Sequence, residues 1–142
     1  MAGVAIKNST RRRTAPRAVF STVAAHILPH WDISLAFVGS TTARALNKKL
    51  RGKNYIPNVL SYAVGEKSGE IIICLSEAER QAPSYSLPPT TYYLYLFIHG
   101  LLHLKGWAHS DTMEASERKL LAKFARGAAR ADERRAPHGG GQ

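Results

Sequence analysis

The stretch Leu94–Leu104 is apolar throughout and interrupted only by His99, Gly100 and His103. It falls well short of the roughly 18–20 residues needed to cross a bilayer. A helix that is apolar on all sides has to be covered by the rest of its own chain. It is expected to begin at Thr90 or Thr91 as a cap and to run to about Lys105, where Gly106, able to take positive φ, ends it. The remaining segments must therefore build a shell around this one.

They read as short strands and amphipathic helices. Val4–Lys7 is a first short strand, followed by the basic, turn-like Asn8–Thr14. Ala15–Leu28 is expected to be a helix with Thr14 as N-cap and Pro16 in its first turn, stopped by Pro29. Ile33–Val38 suits a buried strand. Thr42–Arg51 is a helix capped by Ser40 or Thr41, with Ala43, Leu46 and Leu50 along its apolar face. Asn58–Val64 and Glu70–Leu75, on either side of the turn at Gly65–Gly69, predict a hairpin. Ser76–Gln81 reads as a helical turn, Asp111–Arg130 as a last helix, and His138–Gln142 as a flexible tail. One α+β domain is expected over residues 1–130, a small mixed sheet packed with helices, with a tail at 131–142.

Charge narrows the partners. The chain carries a net +10, arranged as +5 over residues 1–17, +5 over 118–142 and zero between them. Basic ends on a neutral body point toward nucleic acid or another anionic surface. Arg11, Arg12 and Arg13 at one end, and Lys48, Lys49 and Lys53 in the body, are candidate phosphate contacts; a solvated surface is the ordinary alternative for them. The N-terminal bases are expected to matter more for binding nucleic acid than the Gly-rich tail. Cys74 is the only cysteine, so no intrachain disulfide forms; no disulfide-linked partner is expected, and a reducing compartment fits. Arg11–Arg13 ahead of Ala18–Leu28 resemble the start of a secretion signal, but His26 interrupts the apolar stretch and no small-residue cleavage site follows. A cytoplasmic protein with no membrane association is the expectation.

The chemistry concentrates in His99-Gly100-Leu101-Leu102-His103-Leu104-Lys105-Gly106-Trp107-Ala108-His109. His99 and His103 are four apart and share one helix face. Gly106 lets the chain turn back toward His109, so three imidazoles can converge. Imidazole suits Zn²⁺, and three protein ligands leave a fourth position for water, the pattern of a catalytic site. Histidines at this spacing also occur as ordinary core or surface residues; it is the third one just past a glycine that favours a metal. The metallopeptidase pattern H-E-x-x-H is absent, because Gly100 stands where its glutamate base would be. The tyrosines Tyr92, Tyr93 and Tyr95 are expected in the core rather than stacked on bases. Cys74 is read as a small core residue and Ser61 as structural. Glu114 and Glu117 are read as solvated, with an i, i+4 pair between Glu114 and Arg118.

This segment resembles the H-G-x-L-H-L-x-G-Y-D-H signature of the YbeY family of rRNA maturation factors and endoribonucleases. Leu46-Asn47-Lys48-Lys49-Leu50-Arg51-Gly52-Lys53 with Val59-Leu60-Ser61-Tyr62 is similar to the family's second block, and Gly69-Glu70-Ile71-Ile72-Ile73 to its G-D-I-x-I strand. Order and spacing fit over about residues 33–117. The resemblance implies an α+β fold, one Zn²⁺ held by His99, His103 and His109 on and after a central helix, and an active-site Arg51. It implies single-strand-specific cleavage of RNA, maturation of the 3′ end of small-subunit rRNA, contact with the small ribosomal subunit, and ribosome quality control.

Trp107 and Ala108 depart from the family's Tyr-Asp, Leu50 from its aromatic, and Asn54 and Ile56-Pro57-Asn58 from Asp and Pro-Thr-Asp. The carboxylate missing at Ala108 is the most consequential, since metal-bound histidines need an outer acceptor; Asp111 is the stand-in to look for. Two other readings stay open. One is a non-catalytic, rRNA-binding ribosome-assembly factor with a structural metal. The other is a zinc hydrolase of small substrates, which leaves the charge unexplained.

Overall fold

A computed structural model describes residues 3–108 and 110–135, the side chains of 129–135 excepted. The elements run β1 (Gly3–Asn8), α1 (Arg17–Ile27), β2 (Asp32–Val38), α2 (Ser40–Arg51), β3 (Val59–Gly65), β4 (Ser68–Cys74), α3 (Leu75–Gln81), a 3₁₀ turn at Ala82–Tyr85, α4 (Pro89–Leu104) and α5 (Asp111–Arg135). The four strands form one mixed sheet in the order β1-β2-β4-β3. β1 and β2 are parallel, which requires the long crossover that α1 provides. β4 lies parallel to β2 and antiparallel to β3, its hairpin partner. The α+β class and the hairpin agree with the sequence reading.

The apolar pattern explains the layers. Ile71 and Ile73 of β4 pack with Leu35 and Phe37 of β2 against α1 and α4, whereas Ile72 and Cys74 face a smaller cluster with Leu60 and Ala43 of α2. A strand covered on both faces reads as a continuous apolar run, and Ile71-Ile72-Ile73 is that run. α4 is the core helix: Tyr92, Tyr93, Leu94, Phe97, Ile98 and Leu101 are fully buried. The Phe20 ring meets Phe97 edge-on at 5.2 Å. Burying one such side chain contributes about 1.5–3 kcal/mol. At Gly100 the helix touches the sheet, and a Cβ there would lie 3.2 Å from Ile71 Cδ1. Position 100 therefore faces β4, and a glutamate placed there would point into the core.

Several local expectations need correction. α1 starts at Arg17 with Pro16 as its N-cap, and the Thr14 hydroxyl bonds the Ala15 carbonyl instead of capping. α4 starts at Pro89 after Pro88, so Thr90 and Thr91 lie inside the helix and are buried. Thr90 Oγ1 donates to the Ala128 carbonyl at 3.1 Å, tying α4 to α5. Proline at the first helical position already lacks the N–H that a cap would satisfy. On α2 the buried face is Ala43 and Asn47, while Leu50 is 43% exposed. α5 continues to Arg135, past the expected Arg130, and residues 136–142, including the expected tail His138–Gln142, lie outside the described residues. Among the described residues no helix is long and apolar enough to cross a membrane.

Candidate active site

His103 is aimed by the end of its own helix. Gly106 takes φ +105°, and the N–H groups of Gly106 and Trp107 bond back to the carbonyls of His103 and Leu102, both at 3.0 Å. This paired closure is the Schellman motif, which needs a left-handed residue where Gly106 stands. The turn brings the Trp107 carbonyl 3.0 Å from His103 Nδ1. A carbonyl only accepts, so Nδ1 carries the hydrogen of that bond and Nε2 is the ring atom left to face His99.

His99 is aimed from the neighbouring helix. Its Nδ1 bonds Glu117 Oε2, and Glu117 Oε1 accepts the Tyr95 hydroxyl at 2.9 Å. Glu117 is only 2% exposed, which corrects its reading as a solvated residue; the expected Glu114–Arg118 pair is present at 3.5 Å. Burial alone would raise the Glu117 carboxyl, but the bonds from His99 and Tyr95 outweigh it and hold the group below its usual value. Burial and the bond to Glu117 push the Tyr95 phenol up, so it stays a neutral donor. A signal for Glu117 existed: it sits four residues after Met113 and four before Leu121, on the apolar stripe of α5. An acid on that stripe is buried and must be paired.

With both Nδ1 atoms anchored, the two Nε2 atoms converge to 3.0 Å, with the rings at 79°. Anchoring the far ring nitrogen on a carboxylate or a main-chain carbonyl is how metal-binding imidazoles are oriented. The donors fit a borderline cation such as Zn²⁺. Among the described residues no group of three or more His, Cys, Asp or Glu is placed to hold a metal ion. His109, the expected third ligand, lies outside the described residues. Asp111 lines the cleft, but the carboxylate that reaches a histidine is Glu117.

Of the histidine pair, His99 lines a cleft of about 1100 Å³, and Arg51 lines the same cleft with Tyr55, Tyr85 and Glu117. Arg51 closes α2, and its guanidinium donates to the Tyr55 hydroxyl at 3.0 Å and to Asn47 Oδ1 at 3.3 Å. The Arg51 hydrogen bond lowers the Tyr55 phenol from its usual value. Asn47, fully buried, also donates to the Tyr55 carbonyl at 3.0 Å and so sets the loop that follows Arg51. Nothing in the sequence marks Asn47, since a polar residue on an amphipathic helix is expected on its outer face. Lys48, Lys49 and Lys53 are exposed and do not line this cleft. Arg11 and Arg13 are exposed on the loop after β1, and Arg12 pairs with Glu79 at 2.5 Å. His26 lies against the Phe124 ring at 5.6 Å, and His30 is exposed. Cys74 is buried, as expected.

The sequence profile of the family described as Endoribonuclease YbeY matches residues 5–125. The chain belongs to the YbeY family. The chain is similar to an Endoribonuclease YbeY of Thiobacillus denitrificans, at 35% identity over 72% of this chain and 76% of that one. It is also similar to an Endoribonuclease YbeY of Paraburkholderia phytofirmans, at 34% identity over 77% and 78%. In fold it is similar to the solution structure of a Thermotoga maritima protein, with a TM-score of 0.63, 20% identity, and coverage of 85% and 88%. The YbeY match spans α4, the closing turn and the part of α5 that carries Glu117.

Proposed function

We propose that this chain is a zinc-dependent, single-strand-specific endoribonuclease that matures ribosomal RNA at the 3′ end of the small-subunit RNA. The same reading includes contact with the small ribosomal subunit, ribosome quality control and a cytoplasmic location. Family membership supports cleavage of RNA as the reaction. The observation that carries the metal is the convergence of His99 and His103 Nε2 with both Nδ1 atoms anchored, at the wall of the cleft that His99 lines with Arg51. His99, His103 and His109 would hold the ion. Bound Zn²⁺ supplies a Lewis acid and a water whose pKa falls to about 7.

Every other part of the chemistry belongs to the chain and its substrate. Arg51 receives the phosphate, because a permanently charged guanidinium offers two parallel donors to its oxygens and can follow charge onto the transition state. Asn47 and Tyr55 keep that guanidinium at the cleft wall. The substrate's 2′-hydroxyl can attack its own phosphate, giving its proton to water while the P–O bond to the next nucleotide's 5′-oxygen breaks and that oxygen takes a proton from water. A 2′,3′-cyclic phosphate and a 5′-hydroxyl result, with water as the base in place of a carboxylate at position 100. Glu117 is committed to His99 and Tyr95 and serves to orient.

Cleavage of an unpaired RNA by the purified protein, its loss on chelation and its return with zinc are the expected results. Cleavage that persists in chelator refutes the metal's role. Binding without cleavage at any metal level favours the assembly-factor reading. Glu117→Gln is expected to weaken zinc affinity by about 10–100-fold, the usual cost of losing an outer-shell partner. Competition with a chromophoric chelator measures this, and an unchanged affinity means that the carboxylate does not orient His99.

A further inference from the structure

Among the described residues, the exposed large hydrophobic side chains are Leu50, Tyr55, Val64 and Tyr85, and the two tyrosines both line the active-site cleft. Tyr55 is tied to Arg51 through its hydroxyl. Tyr85 is different: half of its surface is open, yet its ring is held from behind. It lies 4.7 Å from the Tyr92 ring and 5.6 Å from the Tyr95 ring, and those two rings are stacked on one another at 5.8 Å. Both backing rings are fixed at their hydroxyls, Tyr92 on Gln81 at 3.1 Å and Tyr95 on Glu117 at 2.9 Å. The main chain under Tyr85 is fixed as well. The 3₁₀ turn ends in Ser86 at φ +56°, and Ser86 N–H bonds the Pro83 carbonyl at 3.0 Å.

We propose that Tyr85, backed by Tyr92 and Tyr95, is a stacking platform for an unpaired nucleobase of the strand whose phosphate Arg51 receives. The proposal rests on the ribonuclease reading above and adds to it the part of the substrate that the cleft recognises. A rigid ring with an open face loses little entropy on contact, and every base has a π-face to offer it. In a duplex both faces of each base are covered by neighbours, so only an unpaired, splayed base can reach the platform. Preference for single strands then arises from stacking and needs no sequence readout.

The test is fluorescence anisotropy of the zinc-loaded protein with a short unpaired 2′-O-methyl RNA, which lacks the attacking hydroxyl. A matched strand carrying abasic positions serves as its partner. Wild type is expected to bind the base-bearing strand about 5- to 150-fold more tightly than the abasic one, the scale for one stacked base. Tyr85→Ala is expected to lose that difference while binding the abasic strand as wild type does, and Tyr85→Phe is expected to keep it. Equal preference in wild type and Tyr85→Ala overturns the platform alone. Failure of wild type to bind either strand overturns the RNA reading and the platform with it.

Discussion

His103→Ala is expected to yield a folded protein that retains less than about one-tenth of the zinc bound by wild type, and to abolish chelator-sensitive RNA cleavage. The residue is only partly buried, so its removal opens little space in the core around α4. Its loss removes one of the two converging Nε2 donors and leaves the Trp107 carbonyl without the imidazole it anchors. Two remaining imidazoles hold zinc weakly, since stable sites use three or four protein ligands. Elemental analysis after gel filtration measures the content, and circular dichroism reports whether the fold persists. Equal zinc in mutant and wild type means that the ion, if bound, sits elsewhere.

The second large effect is kinetic. Arg51→Ala is expected to keep both fold and zinc while cleavage of unpaired RNA slows by about 10²–10³, the roughly 2.7–4 kcal/mol that one preorganised donor contributes to a transition state. Fold is spared because Arg51 is exposed at the end of α2, and Asn47 still holds the following loop through the Tyr55 carbonyl. Single-turnover rates at saturating protein separate this from weakened binding. Cleavage at the wild-type rate would make Arg51 a bystander in the cleft.

How much of this was legible beforehand depended on how local each determinant is. The β4 run and the stop at Gly106 were readable because they depend on burial pattern and on φ at single positions. The starts of α1 and α4 are not legible, because threonine signals a cap equally well whether or not a proline has already taken the first turn. Leu50 and Asn47 exchanged places relative to expectation, since a buried asparagine is explained only by the carbonyl it meets eight residues later. The apolar stripe of α5 signals that Glu117 is buried, but its partner His99, 18 residues back, needs the third dimension, as does the packing of Tyr85 across a turn onto Tyr92 and Tyr95. Arg51 was identified from a motif; its hydrogen bonds to Asn47 and Tyr55 became visible only in the fold.

The turn after α4 also bears on how this site can drift in sequence. His103 takes its orientation from the main chain at position 107, so a side chain that packs against the core as Trp107 does can change there without removing the acceptor. Tryptophan in place of the family's tyrosine is a change of that kind. The constraint passes to the residue before it, where any side chain would strain a backbone at φ +105°. One glycine thus fixes the path of the chain, and its neighbour need only fill its place against the core.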